Sequence, residues 1–251
     1  MGIPTEHGGW SFTLEPVALG LIAAPSTAGI ALGAAALLAF LARTPLKIVL
    51  VDRARRRRLE RTRMAGRVAL VYALLLVGAV VVATATAAGP FWGPLALAAP
   101  LIGVELWYDA RSRSRRLVPE LAGTVGIGSM AAAIGLAGGA GGVTAAGLWL
   151  VAAGRAVAAV PFVRVQLRRL KSQAYRRWES DAAQLVVVVA AWSGWTAGVI
   201  PVEAAVALAL LAGVHLGLVR TTPPPAAMLG AQQVVLGLGV VLTAGLGFRA
   251  P

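Results

Sequence analysis

Arg61-Thr-Arg-Met-Ala-Gly-Arg67 runs straight into Val68-Ala-Leu-Val-Tyr-Ala-Leu-Leu-Leu-Val-Gly-Ala-Val-Val-Val-Ala-Thr-Ala-Thr-Ala-Ala88, an unbroken stretch with no charged residue. At 1.5 Å per helical residue the stretch covers about 30 Å, the thickness of a bilayer's hydrocarbon core. A soluble helix of that length would need a polar face, and this one has none. The segment reads as a transmembrane helix with a basic collar at its start.

Apolar runs of the same kind fill the rest of the chain. Of 251 residues, 58% are hydrophobic and 13% charged, too few polar groups to cover the surface of a soluble fold. Mean hydropathy is +0.78. The pattern predicts an all-α polytopic helix bundle, residues 1–251 forming a single transmembrane domain.

Nine spans are expected. The first, Trp10 to Ala24, is short and holds Glu15 and Pro16, and eight spans would follow if it were re-entrant or interfacial. The second ends in Arg43, Lys47 and the basic run from Asp52. The third is Val68 to Ala88, and Gly89-Pro90 and Gly93-Pro94 break the chain around Phe91 and Trp92. The fourth runs to Tyr108, and Pro119 opens the fifth as a first-turn proline. The glycines from Gly138 to Gly142 turn into a sixth helix, Val143 to Val165, with a basic extension to Arg177. The seventh covers Ala182 to Val199, the eighth ends at Arg220, and the ninth is Ala226 to Phe248. Gly29, Gly33, Gly123, Gly126 and Gly128 give these helices surfaces for close packing.

Charge is distributed unevenly. Of 23 Lys and Arg, ten lie between Arg43 and Arg67, four between Arg111 and Arg116, and six between Arg164 and Arg177. Connections after even-numbered spans carry these clusters, whereas those after odd-numbered spans carry no basic residue. The positive-inside rule then sets the basic loops and the N-terminus in the cytoplasm. The net charge of +13 is matched to anionic lipid headgroups on the cytoplasmic leaflet and excludes a dedicated nucleic-acid binder, whose basic stripe would sit on a soluble fold.

Cysteine is absent, so disulfides and thiolate metal sites are excluded. Met1 to Trp10 lacks the pattern of a cleavable signal peptide, so the first span is expected to stay in the mature protein.

Ionisable groups inside the apolar segments are the candidates for function. Arg155 lies nine residues before Arg164, about 13 Å along a helix and near mid-membrane. It reads either as an anion contact or as half of a buried ion pair with Glu105, Glu120 or Glu15. The corner from Glu105 to Arg116, followed by Pro119-Glu120-Leu-Ala-Gly123, brings three carboxylates and four arginines together. Glu105 and Asp109 share a helix face and suit either Mg²⁺ or, with more weight, the neighbouring arginines. Pro4-Thr-Glu6-His7-Gly8-Gly9-Trp10 is polar for the start of a span. His7 beside Glu6 could exchange protons or bind a ligand, or the segment could simply cap the first helix. The run from Asp52 to Arg58 reads mainly as a headgroup anchor. Glu179 and Asp181 are ambiguous, and His215 reads as a packing histidine.

At these residues the chain resembles the YwiC-like family of bacterial integral membrane proteins. The Glu6-His7-Gly8-Gly9-Trp10 core, the Glu105 to Arg113 and Pro119 to Gly123 corner, and the helix from Arg155 to Arg164 carry the resemblance, which extends over nearly the whole chain. It implies a bacterial cytoplasmic (inner) membrane protein, transfers no catalytic residue, and raises the weight of a functional Glu6-His7 site. A weaker architectural resemblance is to the UbiA prenyltransferases, which hold Mg²⁺ and a prenyl diphosphate with two aspartate-rich loops. The corresponding loops here offer only Asp52 and the pair Glu179 and Asp181, so Mg²⁺ is expected only under that reading and no other cofactor is evident.

The expected function is therefore binding of an anionic or phosphorylated lipid-like ligand in a polar cavity open to the cytoplasm. Glu6, His7, Trp10, Glu105, Asp109 and Glu120 would line it, with Arg111, Arg113, Arg155 and Arg164 as cations. Lys47, Asp52 and Arg53 would touch phosphate or headgroups. A UbiA-like enzyme with degenerate aspartate motifs and a small-molecule transporter are the alternatives, and no motif assigns a reaction.

Overall fold

A computed structural model of the chain describes residues 7–54, 59–111 and 116–249. Among the described residues the fold is all-helical, in the order α1 (His7–Ala23), α2 (Thr27–Ala54), α3 (Glu60–Thr86), α4 (Trp92–Ala110), α5 (Leu117–Ala137), α6 (Gly142–Leu170), α7 (Arg177–Thr196), α8 (Val202–Leu218) and α9 (Ala226–Gly247). Five of these, α2, α3, α5, α6 and α9, are long and apolar enough to cross a membrane, and α1 and α8 are apolar but shorter. The chain is a multi-pass membrane protein.

Among the described residues, most of the basic collar between the second and third expected spans is helical rather than loop. α2 continues through Pro45 to Ala54, carrying Arg43 and Lys47 on the helix, and α3 begins at Glu60, eight residues before the expected Val68. Arginine and lysine are good helix formers, so the helix continues past the apolar limit into the polar boundary.

Turns follow their residues. Ser26 caps α2, its Oγ accepting a hydrogen bond from Gly29 N–H at 2.9 Å. Gly139 takes φ +91° in the turn between α5 and α6, a conformation that favours glycine.

α1 packs on α5 and α9 and touches α2 and α6, and α5 and α6 pack on each other. One apolar core joins Leu19 of α1 to Leu148, Val187, Leu208 and Val240 on α6 to α9. Another joins Val17 to Leu32, Phe91 and Ile134. α3 stands outermost, packed on α2; only its small residues Ala65, Ala69 and Ala83 are buried, while Leu70, Leu74, Leu75 and Val81 are exposed. In water that face would be costly, whereas in hydrocarbon it is the ordinary solvent-facing side. Glycine sets the tightest approaches: at Gly33 a Cβ would meet Val17 Cγ1 at 2.6 Å.

Candidate functional site

Charged side chains meet at two depths. The deeper group surrounds Arg155 on α6, 3% exposed. Its Nε lies 3.2 Å from Glu15 Oε2 on α1, and Nη2 donates to Glu15 Oε1 at 3.3 Å. Nη2 also donates to the Gln233 carbonyl at 2.7 Å and Nη1 to Gln233 Oε1 at 3.4 Å. Because that amide oxygen faces a guanidinium, the Gln233 NH₂ is the end presented to His215, whose Nε2 is 3.1 Å away. His215 is fully buried and stacks on Phe162 at 4.2 Å and 10°.

Of the three carboxylates the sequence offers Arg155, the partner is Glu15. The choice follows from depth: Glu120 lies in the first turn of α5 and pairs with Arg164, nine residues from Arg155 on α6, and Glu105 is held by Arg43, whereas Glu15 lies in the middle of α1. Gly237 on α9 completes the site: a Cβ there would overlap Glu15 Oε1 and approach Arg155 Nη2 to 2.8 Å.

The second group lies toward the ends of the helices that carry the arginines. Arg43 on α2 pairs with Glu105 on α4 at 3.0 Å and reaches Asp109 at 3.6 Å, and Lys47 holds Asp109 at 2.9 Å. Each helix contributes two residues four apart, so two ion pairs stack like rungs between α2 and α4. Burial pushes the Asp109 carboxyl upward, but Lys47 and Arg43 outweigh it and hold it below the usual carboxylate range. Glu105 fits because Gly123 on α5 has no side chain; a Cβ would overlap its carboxylate. One turn away on α5, Glu120 accepts from Arg164 Nη1 at 2.8 Å.

Trp10 of α1 packs edge-on against Phe40 of α2 at 5.1 Å, one turn before Arg43. From Arg155, α6 rises about 13 Å to Arg164, so the second group stands between two and three turns from the first.

Several expected residues lie elsewhere. Arg111 covers the Trp107 ring at 3.4 Å. Asp52, 2% exposed, accepts from Arg61 Nη2 at 2.9 Å and Thr62 Oγ1 at 2.6 Å, so it ties α2 to α3, and Arg53 is exposed beside it. Asp181 pairs with Arg220 at 3.1 Å. Glu6 and Arg113 fall outside the described residues, as does the side chain of His7.

The expected single cavity is thus replaced by two levels. Arg155 does not share a chamber with Glu105 and Asp109. Beside it is a cavity of about 10 Å³ lined by Phe12, Glu15, Thr124, Val151 and Arg155, among others. The described partners of Glu105 and Asp109 come from α2, a long-range pairing that no local spacing reveals. Among the described residues no three of His, Cys, Asp or Glu come together as a metal-binding group. Sequence reasoning missed Gln233 and Gly237 and discounted His215; the polar Gln232-Gln233 pair within an apolar helix was the available signal.

The model of the YwiC-like protein family matches residues 3–135. The match covers α1 to α5, with Glu15, Arg43, Glu105, Asp109, Glu120 and Gly123, and stops before Arg155 and Arg164, short of the nearly complete coverage expected. No curated protein and no solved structure matches the chain.

Proposed function

Since the chain belongs to the YwiC-like protein family and is a multi-pass helical protein, we propose that it resides in the bacterial cytoplasmic membrane and binds an anionic or phosphorylated lipid-like ligand. The N-terminus and the Arg-rich ends face the cytoplasm under this reading, as the positive-inside rule requires. The ligand's charged group sits beside Trp10 on α1, at the level of Arg43 and Arg164. Its apolar part lies along the helices below.

The observation that carries this reading is the cluster of ion pairs in which Glu105 of α4 holds Arg43 of α2, and Glu120 of α5 holds Arg164 of α6 one turn from Gly123, against which Glu105 packs. Two arginines from different helices gathered at one level, toward the ends of the helices, suit the charged group of an anionic lipid-like ligand. Glu105, Asp109 and Glu120 hold these cations in place. Arg155 lies deeper and supports α1 through Glu15.

Thermal unfolding in neutral detergent, with anionic and zwitterionic lipids added in turn, tests the reading. Anionic lipid should raise the midpoint of the wild type, and Arg164→Gln should lose most of that increment. Equal stabilisation by both lipid classes would refute it.

A further inference from the structure

We propose that a file of buried polar side chains between α6, α7, α8 and α9 holds water and connects the Arg-rich face of the bundle with the Arg155–Glu15 pair. The file starts at Ser180, one turn into α7, and passes through Gln184, His215 and Gln233 before it reaches the pair. It is independent of the ligand reading, which concerns the start of α1.

Ser180 and Gln184 are four apart on one face of α7, both fully buried. Gln184 Nε2 donates to the Ala158 carbonyl on α6 at 2.9 Å. That carbonyl also lies beside His215, and Gln233 links His215 to Arg155. Gln184, His215, Gln233, Arg155 and Glu15, from five helices, are thus joined through one another and the Ala158 carbonyl, and Ser180 lies one turn beyond Gln184 on the same face of α7.

The file is not satisfied by protein alone. Ser180 Oγ and Gln184 Oε1 have no hydrogen-bond partner, and Glu15 Oε2 and Arg155 Nε, although 3.2 Å apart, are not aligned for one. A buried polar group without a partner costs on the order of 1–3 kcal/mol, and several in one file would be a heavy penalty. Water is the ordinary remedy in a polar site with room for it. Room exists at the inner end, where the cavity beside Glu15 and Arg155, about 10 Å³, admits about one water. Pro16 lacks an N–H, so the Phe12 carbonyl that faces this region has no helical donor and offers the water another partner. The outer end is close to the surface, since Asp181, next to Ser180, pairs with Arg220 in the open.

The chain contains no cysteine, so single replacements give a clean accessibility test. Only a thiolate, which needs water to form, attacks the sulfur of a water-soluble methanethiosulfonate reagent and expels methanesulfinate, so in detergent-purified protein Ser180→Cys and Gln184→Cys should react at least about tenfold faster than Val187→Cys and Ala191→Cys. All four positions are buried on α7, so burial alone predicts equal rates. Equal rates, fast or slow, overturn the proposal. Hydroxyl-radical footprinting of the unmodified protein provides a second reading that needs no variant. His215 should be oxidised despite its burial, while Phe91, buried in an apolar cluster, stays protected. Protection of His215 equal to that of Phe91 overturns the proposal as well.

Discussion

Gly237 on α9 stands against the carboxylate of Glu15 so closely that one added methyl would occupy the space of Glu15 Oε1. A residue without a side chain thus decides whether a buried ion pair can form between the two helices, α1 and α6, that pack on it. Gly237→Ala should cost about 1–3 kcal/mol, the usual range for overpacking. Gly239→Ala, two residues on and facing open space, should be neutral or slightly stabilising. Thermal melts of the two variants in detergent, compared with the wild type, check this.

Arg155 and Glu15 should behave as a unit. Removing one partner leaves a buried charge alone, so Glu15→Gln or Arg155→Gln should each cost about 3–5 kcal/mol. The double replacement should cost clearly less than the sum of the two. Chemical unfolding of all four proteins gives the coupling, and additivity would show that the pair does not interact.

Helix number and type were legible because apolar length is a direct consequence of bilayer thickness, and Val68 to Thr86 of the expected third span lies in α3. Its start was not, since Arg61, Arg63 and Arg67 looked like a loop but continue the helix. The same local blindness affected the site. That Arg155 must be paired followed from its cost in hydrocarbon, but Glu15 could be chosen among three carboxylates only by knowing which of them lies at the depth of Arg155 when the helices pack. Arg43 with Glu105 is a contact between α2 and α4, which no spacing within either helix announces.

Asp109 gives the protein an acid-sensitive contribution. Its carboxyl titrates lower in the fold than its ordinary value of 3.8, because Lys47 and Arg43 outweigh burial. The sign follows: the contribution is complete above the ordinary value and is lost as pH falls through the lower, folded value. Lys47→Gln should shift the acid arm of the stability profile to higher pH. Melting midpoints from pH 3 to 7 would reveal that shift, and superimposable profiles would contradict it.

Asp52→Asn should loosen the join between α2 and α3, since Asp52 accepts from both Arg61 and Thr62. The expected loss is about 1–3 kcal/mol, that of a charged hydrogen-bond acceptor, with no effect on anionic-lipid stabilisation. A variant of normal stability that fails to respond to anionic lipid would instead assign Asp52 to the headgroup site.

Native mass spectrometry of the wild type, released from the mildest detergent that keeps it folded, tests the binding claim most directly. The expected spectrum contains a retained anionic or phosphorylated lipid-like adduct that Arg164→Gln strips away. Bare protein alone, or adducts in the same proportions as the bulk membrane and unchanged by Arg164→Gln, would contradict it.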